Sequence, residues 1–102
     1  MNIQKMLKQA QQMQEQLAAT QAKLAEKIIE VPVGGGKVVV TANGSGDIIS
    51  IKIDPSVVDP EDVEILEDLI LAGVKQAQND AKEAAAEDMQ KVTGGMNLPG
   101  LG

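Results

Sequence analysis

The groups in this chain able to do acid–base or nucleophilic chemistry are carboxylates, lysines and hydroxyls; there is no Cys, no His and no Tyr. That inventory excludes disulfides, thiol and imidazole catalysis, and ordinary zinc sites. It implies no cofactor and no metal. An enzyme would need a paired constellation of the groups that remain, and none stands out, so the chain does not read as an enzyme. The fifteen acids and nine lysines leave a net charge of −6. Asp59, Glu61, Asp62, Glu64, Glu67 and Asp68 fall in one short stretch without a lysine, and elsewhere acids and lysines balance. This acidic collar can engage a basic surface. Its ordinary role is favourable charge at the positive end of a helix dipole, plus solubility.

The lysines offer the other chemistry. A lysine ammonium meets phosphate as a point charge and positions a polyanion without reading its bases. The absence of arginine removes the usual donor for base-specific contacts. Lys5 and Lys8 lie three apart on one helical face. Lys82 and Lys91 lie toward the end of a second helix, with Lys75 nearer its middle. These five are the candidate DNA-binding residues, although any one of them alone reads as part of a solvated helix face.

The elements that must position them follow from hydrophobic spacing. Asn2 to about Lys27 is an amphipathic helix. Ile3, Met6, Leu7, Ala10, Met13, Leu17, Leu24 and Ile28 recur at steps of three and four, and Thr20 interrupts the stripe. Met1, Met6 and Met13 can suggest an adaptable binding groove, but a core stripe is the simpler reading. Ile29, Val31 and Val33 form a short strand that Pro32 places at a sheet edge. Gly34-Gly35-Gly36 reads as a hairpin turn; it lacks the spacing and the Lys-Ser/Thr ending of a phosphate loop. Val38–Ala42 and Ile48–Ile53 are the next two strands, joined by Asn43-Gly44-Ser45-Gly46. Pairing Ala42 with Asp47 sets Val40 opposite Ile49 and Val38 opposite Ile51. It also opposes Lys37 to Lys52, which is mildly unfavourable.

Asp54-Pro55 ends the third strand and Asp54–Val58 makes a single turn. Asp59-Pro60-Glu61-Asp62 opens the second long helix, with Asp59 as cap and Pro60 in the first helical position. Its buried face is Val63, Leu66, Ile70, Val74, Ala77, Ala81, Ala84 and Ala85, widened by Leu69 and Leu71. Gly73 is its one weak helix former. Thr93-Gly94-Gly95 stops it near Lys91.

The fold class is therefore α+β, α-β-β-β-α, with residues 1–95 as a single domain and 96–102 as a flexible tail. The two helices, packed antiparallel, make an arm projecting from the sheet. Its tip brings Met1–Ala10 beside Ala81–Gly95, with the collar at its root. The collar then lies several Debye lengths (about 8 Å each) from the tip. The hydrophobic fraction is 43% without one aromatic residue, so a lone core is thin and a homodimer is expected. No apolar run approaches the roughly 20 residues of a membrane span. A soluble cytoplasmic protein without membrane partner or small-molecule substrate is the default.

Three strings point to a family. They are Gly34-Gly35-Gly36-Lys37-Val38-Val39-Val40-Thr41-Ala42-Asn43-Gly44, Ile51-Lys52-Ile53-Asp54-Pro55-Ser56, and Asp59 to Ile70, which contains Glu64-Ile65-Leu66-Glu67-Asp68-Leu69-Ile70. With the close Thr93-Gly94-Gly95-Met96-Asn97-Leu98-Pro99-Gly100, they resemble the YbaB/EbfC family of bacterial nucleoid-associated proteins. The resemblance implies a homodimer whose protruding helices bind double-stranded DNA like tweezers. It also implies a place in the nucleoid, and roles in nucleoid organisation and gene regulation. The alternative is a protein-interaction module that docks a partner through its arms or its acidic collar.

Overall fold

The computed structural model describes residues 2–94. In chain order they form α1 (Ile3–Glu26), β1 (Ile28–Val33), β2 (Val38–Asn43), β3 (Ile48–Ile53), a 3-10 turn (Pro55–Val57) and α2 (Val63–Gly94). This is the predicted α-β-β-β-α order. The tail over residues 96–102 lies outside the described residues.

α1 starts at a capped end and contains no Gly or Pro. Asn2 Oδ1 accepts the Lys5 backbone N–H at 3.2 Å. At its other end, the Gly44 N–H donates to the Leu24 and Lys27 carbonyls at 2.7 and 3.0 Å. A Cβ on Gly44 would stand 2.6 Å from the Leu24 carbonyl oxygen, so glycine alone lets the β2–β3 turn come this close. The last turn of α1 is thereby tied to the sheet, which fixes the direction in which the helix leaves it.

The sheet is antiparallel in the order β1-β2-β3, with Pro32 on an edge strand as expected. The β2–β3 register differs from the sequence reading. Val40 faces Ile51 and Val38 faces Ile53, and Lys52 lies opposite Val39 rather than Lys37. The turn is the cause. Asn43 Oδ1 accepts the Ser45 and Asp47 N–H groups, each at 3.0 Å, and the Asn43 N–H donates to the Asp47 carbonyl. The turn therefore closes on Asn43 and Asp47, and an irregularity between Thr41 and Ala42 shifts the strands further. A shift of two residues keeps Ile51 and Ile53 on the face of Val38 and Val40, but the irregularity brings Ile48 opposite Ala42 and onto the core and leaves Ile49, expected on the apolar face, 54% exposed. The shift also frees Lys37 to approach Asp54 at 3.7 Å.

The core lies between this sheet and the first half of α2. Val31, Val38, Val40, Ala42 and Ala77 are buried, with Ile29, Val33, Ile48, Leu66, Leu69, Ile70 and Val74 packed around them. Full burial of valines such as Val38 and Val40 stabilises by about 1.5–3 kcal/mol each, as an upper bound. Two expected members of the α2 stripe, Val63 and Leu71, are instead exposed. Ile28 is exposed as well, since it pairs with Asn43 while Ile29 takes the core side.

The strand-to-helix junction has two turns. Asp54 Oδ1 accepts the Ser56 N–H at 2.8 Å and caps the 3-10 turn. Asp59 accepts the Glu61 N–H at 3.0 Å and forms a separate turn, so it does not cap α2 and Pro60 is not its first residue. The Ser56 N–H bond, helped by the Ser56 hydroxyl and by Lys37, holds the Asp54 carboxyl below its ordinary 3.8. A depressed folded pKa gives stability that is fully present above 3.8 and lost as pH falls through the lowered value. Asp54→Asn should therefore flatten the acid limb of the stability profile, read as urea midpoints down through the carboxylate range. An acid limb as steep as that of the unaltered chain would count against this role.

Candidate nucleic-acid interface

α1 spans about 36 Å and α2 about 48 Å at 1.5 Å per residue. The molecule measures 71 × 25 × 16 Å. α2 first crosses the sheet, from Leu66 to Ala77, and then runs on beyond it. There its outer half lies antiparallel to the inner half of α1. Ala81 is buried and Ala84, Ala85 and Val92 are half-buried, facing half-buried Met13, Leu17 and Thr20 and buried Leu24 on α1. Small side chains on α2 permit this close approach. Thr20 satisfies its own hydroxyl by donating to the Gln16 carbonyl at 2.9 Å.

A groove of about 530 Å³ runs along this arm, with Gln16, Thr20 and Lys23 on one wall and Asp88, Lys91 and Val92 on the other. Lys91 Nζ stands 3.8 Å from Asp88 Oδ1. A second groove, about 370 Å³, lies where the arm meets the sheet, between the Gly44-Ser45-Gly46 turn and Gln78, Ala81 and Lys82.

The arm thus differs from the expected one in its overlap. Gln16–Lys23 lie level with Asp88–Val92, so Ile3–Ala10 extend past Gly94 instead of lying beside Ala81–Gly95. Hydrophobic spacing marks the inner face of α1 but not how far along it α2 reaches. Ile3, Met6 and Leu7 are consequently 57–67% exposed. The collar is also displaced. Its acids precede and begin α2, at the end of the sheet crossing away from the arm, because the first half of α2 covers the sheet.

All five predicted lysines are exposed, and they fall in four places. Lys5 and Lys8 are on the projecting end of α1, where Asn2–Gln14 hold no acid. Lys91 is in the arm groove beside Asp88, Lys82 is in the groove at the sheet, and Lys75 is on the part of α2 that follows Val74 over the core. Lys5 and Lys8 are not brought together with Lys82 and Lys91. Lys23, which the sequence reading passed over, is brought to the groove that holds Lys91. Its position three before the end of α1 carried a signal only once the register of the two helices was known. No group of carboxylates able to hold a metal ion occurs among the described residues.

The YbaB/EbfC DNA-binding family model matches residues 1–96. This chain belongs to the YbaB/EbfC DNA-binding family. A nucleoid-associated protein of Thermoanaerobacter sp. is 54% identical over 98% of this chain and 90% of its own length. One from Moorella thermoacetica is 52% identical over 98% of this chain and 96% of its length. The crystal structure of an uncharacterized protein, HP0035, from Helicobacter pylori matches with a TM-score of 0.69 at 25% identity, covering 94% of this chain and 97% of that one. The same helix–sheet–helix fold is therefore shared by two sequences that differ at most positions. The family is one of DNA-binding proteins, not of enzymes. No helix among the described residues is long and apolar enough to cross a membrane.

Proposed function

We propose that this YbaB/EbfC protein is a homodimer of the bacterial nucleoid that binds double-stranded DNA mainly through phosphates, alters its conformation and so affects gene expression. The observation that carries this reading is the projecting end of α1. It presents Lys5 and Lys8, carries no acid from Asn2 to Gln14, and stands clear of the sheet. The collar is remote from it. Asp68 and Lys82 are separated by about 21 Å of helix, against a Debye length of about 8 Å, and Lys5 and Lys8 are further out still. DNA approaching the projecting end of α1 meets Lys5 and Lys8, whereas Asp80, Glu83, Glu87 and Asp88 leave the α2 side of the arm mixed in sign, and DNA approaching the collar is repelled. Family membership supports DNA as the ligand, and the names of the relatives support the nucleoid as its place. Lysine without arginine suits phosphate contact and gives little base readout.

A binding titration against salt tests it. Affinity should fall steeply with salt, and each phosphate contact removed should lower the slope of log K on log salt by about 0.9. Lys5→Ala/Lys8→Ala should weaken binding more than Lys82→Ala/Lys91→Ala. In the second pair Lys91 is already offset by Asp88, and Lys82 sits at the base of the arm. A binding midpoint that does not move between about 50 and 200 mM salt would refute the phosphate reading.

The dimer has its own support. β3 is an open edge, and Ile51 and Ile53 are 40% and 37% exposed on the face that α2 leaves partly bare. Leu69 of α2 turns toward Gly34 in the β1–β2 turn, while Gly73 faces Val40 on the central strand. Leu71, about 200° round the helix from both, lies on the flank of α2 away from Leu69 and is 53% exposed. An apolar strip of β3 and α2 is left for a second copy to cover.

A further inference from the structure

We infer that double-stranded DNA is held along one flank of α1, from Lys5 through Gln9, Gln12 and Gln16 to Lys23, where that flank walls the groove of the arm. This rests on the phosphate reading above and carries the contact inward from the projecting end. Lys5 and Lys23 are eighteen residues apart. At about 100° per residue that is five whole turns, so the two lie in line on one side of α1, about 27 Å from each other along it. Gln9, Gln12 and Gln16 fall within about 40° of the same line. The groove shows which side this is, because Gln16, Ala19, Thr20 and Lys23 form its α1 wall. All five residues of the stripe are exposed.

Charge and chemistry select phosphate as what this flank meets. Lysine ammonium and glutamine amide groups both donate to phosphate oxygens, and neither contact depends on the base. The acids of α1, Glu15 and Glu26, stand about 60–80° from the stripe, toward the side turned away from α2. Across the groove the acid of the lining is Asp88, and Lys91 stands 3.8 Å from it. Lys23 makes no ion pair among the described residues, so it is the uncompensated charge of the groove. Asp80, Glu83 and Glu87 lie about 100–160° round α2 from buried Ala81, and they repel DNA from the outer side of that helix. α1 is then the accepting wall. Lys5 and Lys23 are too far apart to share one phosphate, so each adds a contact of its own. A second copy seated on β3 and Leu71 leaves the flank open, since Lys91 lies about 200° round α2 from Leu71.

The test is a titration of the full chain with a mixed-sequence duplex between about 50 and 200 mM salt, read as the slope of log K on log salt. Lys23→Ala should lower the slope by about 0.9, the value of one phosphate contact. Gln12→Lys should raise it by the same amount. Gln14→Lys adds the same charge two residues away, but about 200° round α1 from Gln12, and should leave the slope unchanged. Gln12 and Gln14 are both exposed, so neither substitution disturbs the packing of the arm. Equal slopes for the Gln12 and Gln14 variants, or a Lys23→Ala chain with the parent slope, overturn this flank while leaving the tip contact of Lys5 and Lys8 intact. A parent slope near zero instead overturns the phosphate reading, and the flank with it.

Discussion

Gly73→Val should destabilise the fold by about 3 kcal/mol, although valine is the better helix former. Gly73 sits where α2 crosses the sheet. A Cβ built there stands 2.6 Å from Val40 Cγ2 and 3.4 Å from Val33 Cγ2. Val40 is wholly buried on the central strand, and a β-branched side chain has few rotamers to retreat into. The collision must be relieved by lifting α2 from β2, which loosens the contacts of Val38, Ala42 and Ala77 together. Against a total stability of about 5–15 kcal/mol for a domain of this kind, such a loss is large.

A double-mutant cycle separates this from a generic helix effect. Gly73→Ala gains about 1 kcal/mol of helix propensity and meets the same Val40 methyl. Val40→Ala removes that methyl and leaves a cavity. Combined, the new Cβ occupies the space vacated, so the two changes should couple favourably by about 1–2 kcal/mol. Urea midpoints of the four proteins measure it. Additive effects, or a Gly73→Val protein as stable as the parent, would show that the crossing is not a close contact.

Gly73 also marks how far the sequence could be read. Alone, it appears only as a weak residue inside a strong helix; its reason lies on β2, more than thirty residues earlier in the chain. What was legible is what local pattern encodes. The two-residue alternation at Val38, Val40 and Ala42 and the three–four steps along both helices gave the element order. Pro32 correctly marked an edge. What was not legible depends on distant partners or on side-chain bonds within a turn. The β2–β3 register follows from the hydrogen bonds of Asn43, not from matching apolar faces, since a two-residue shift keeps Ile51 and Ile53 on the face of Val38 and Val40. Asp59-Pro60 carries a helix-start signature, yet its bond to Glu61 makes a separate turn and α2 begins at Val63. The lysines were visible as residues but not as a constellation. Helix periodicity says which face Lys23 and Lys91 occupy, and only the offset between the two helices puts them across one groove.

Ile51→Lys/Ile53→Lys should convert the proposed dimer to a monomer while leaving the subunit folded. Both isoleucines lie on β3, where α2 makes its fewest sheet contacts, and each is already more than a third exposed in a single chain. The substitutions therefore cost the subunit little. At a dimer interface each buried isoleucine contributes about 1.5–3 kcal/mol, and the change is made on both protomers. A loss of only about 3 kcal/mol, a small part of that total, already raises the dimer Kd more than a hundredfold. Sedimentation across a concentration series reads the outcome against a chain mass of 10.7 kDa. The parent should sediment at twice that mass and the variant at the chain mass, with an unchanged circular dichroism spectrum. DNA affinity should fall as well, because two arms on one dimer act at a high effective concentration and a lone arm does not. Lys5→Ala/Lys8→Ala should weaken DNA binding without altering mass. If the parent stays at the chain mass at every concentration, the apolar strip on β3 and α2 is not a self-contact. The arms must then be brought to DNA singly.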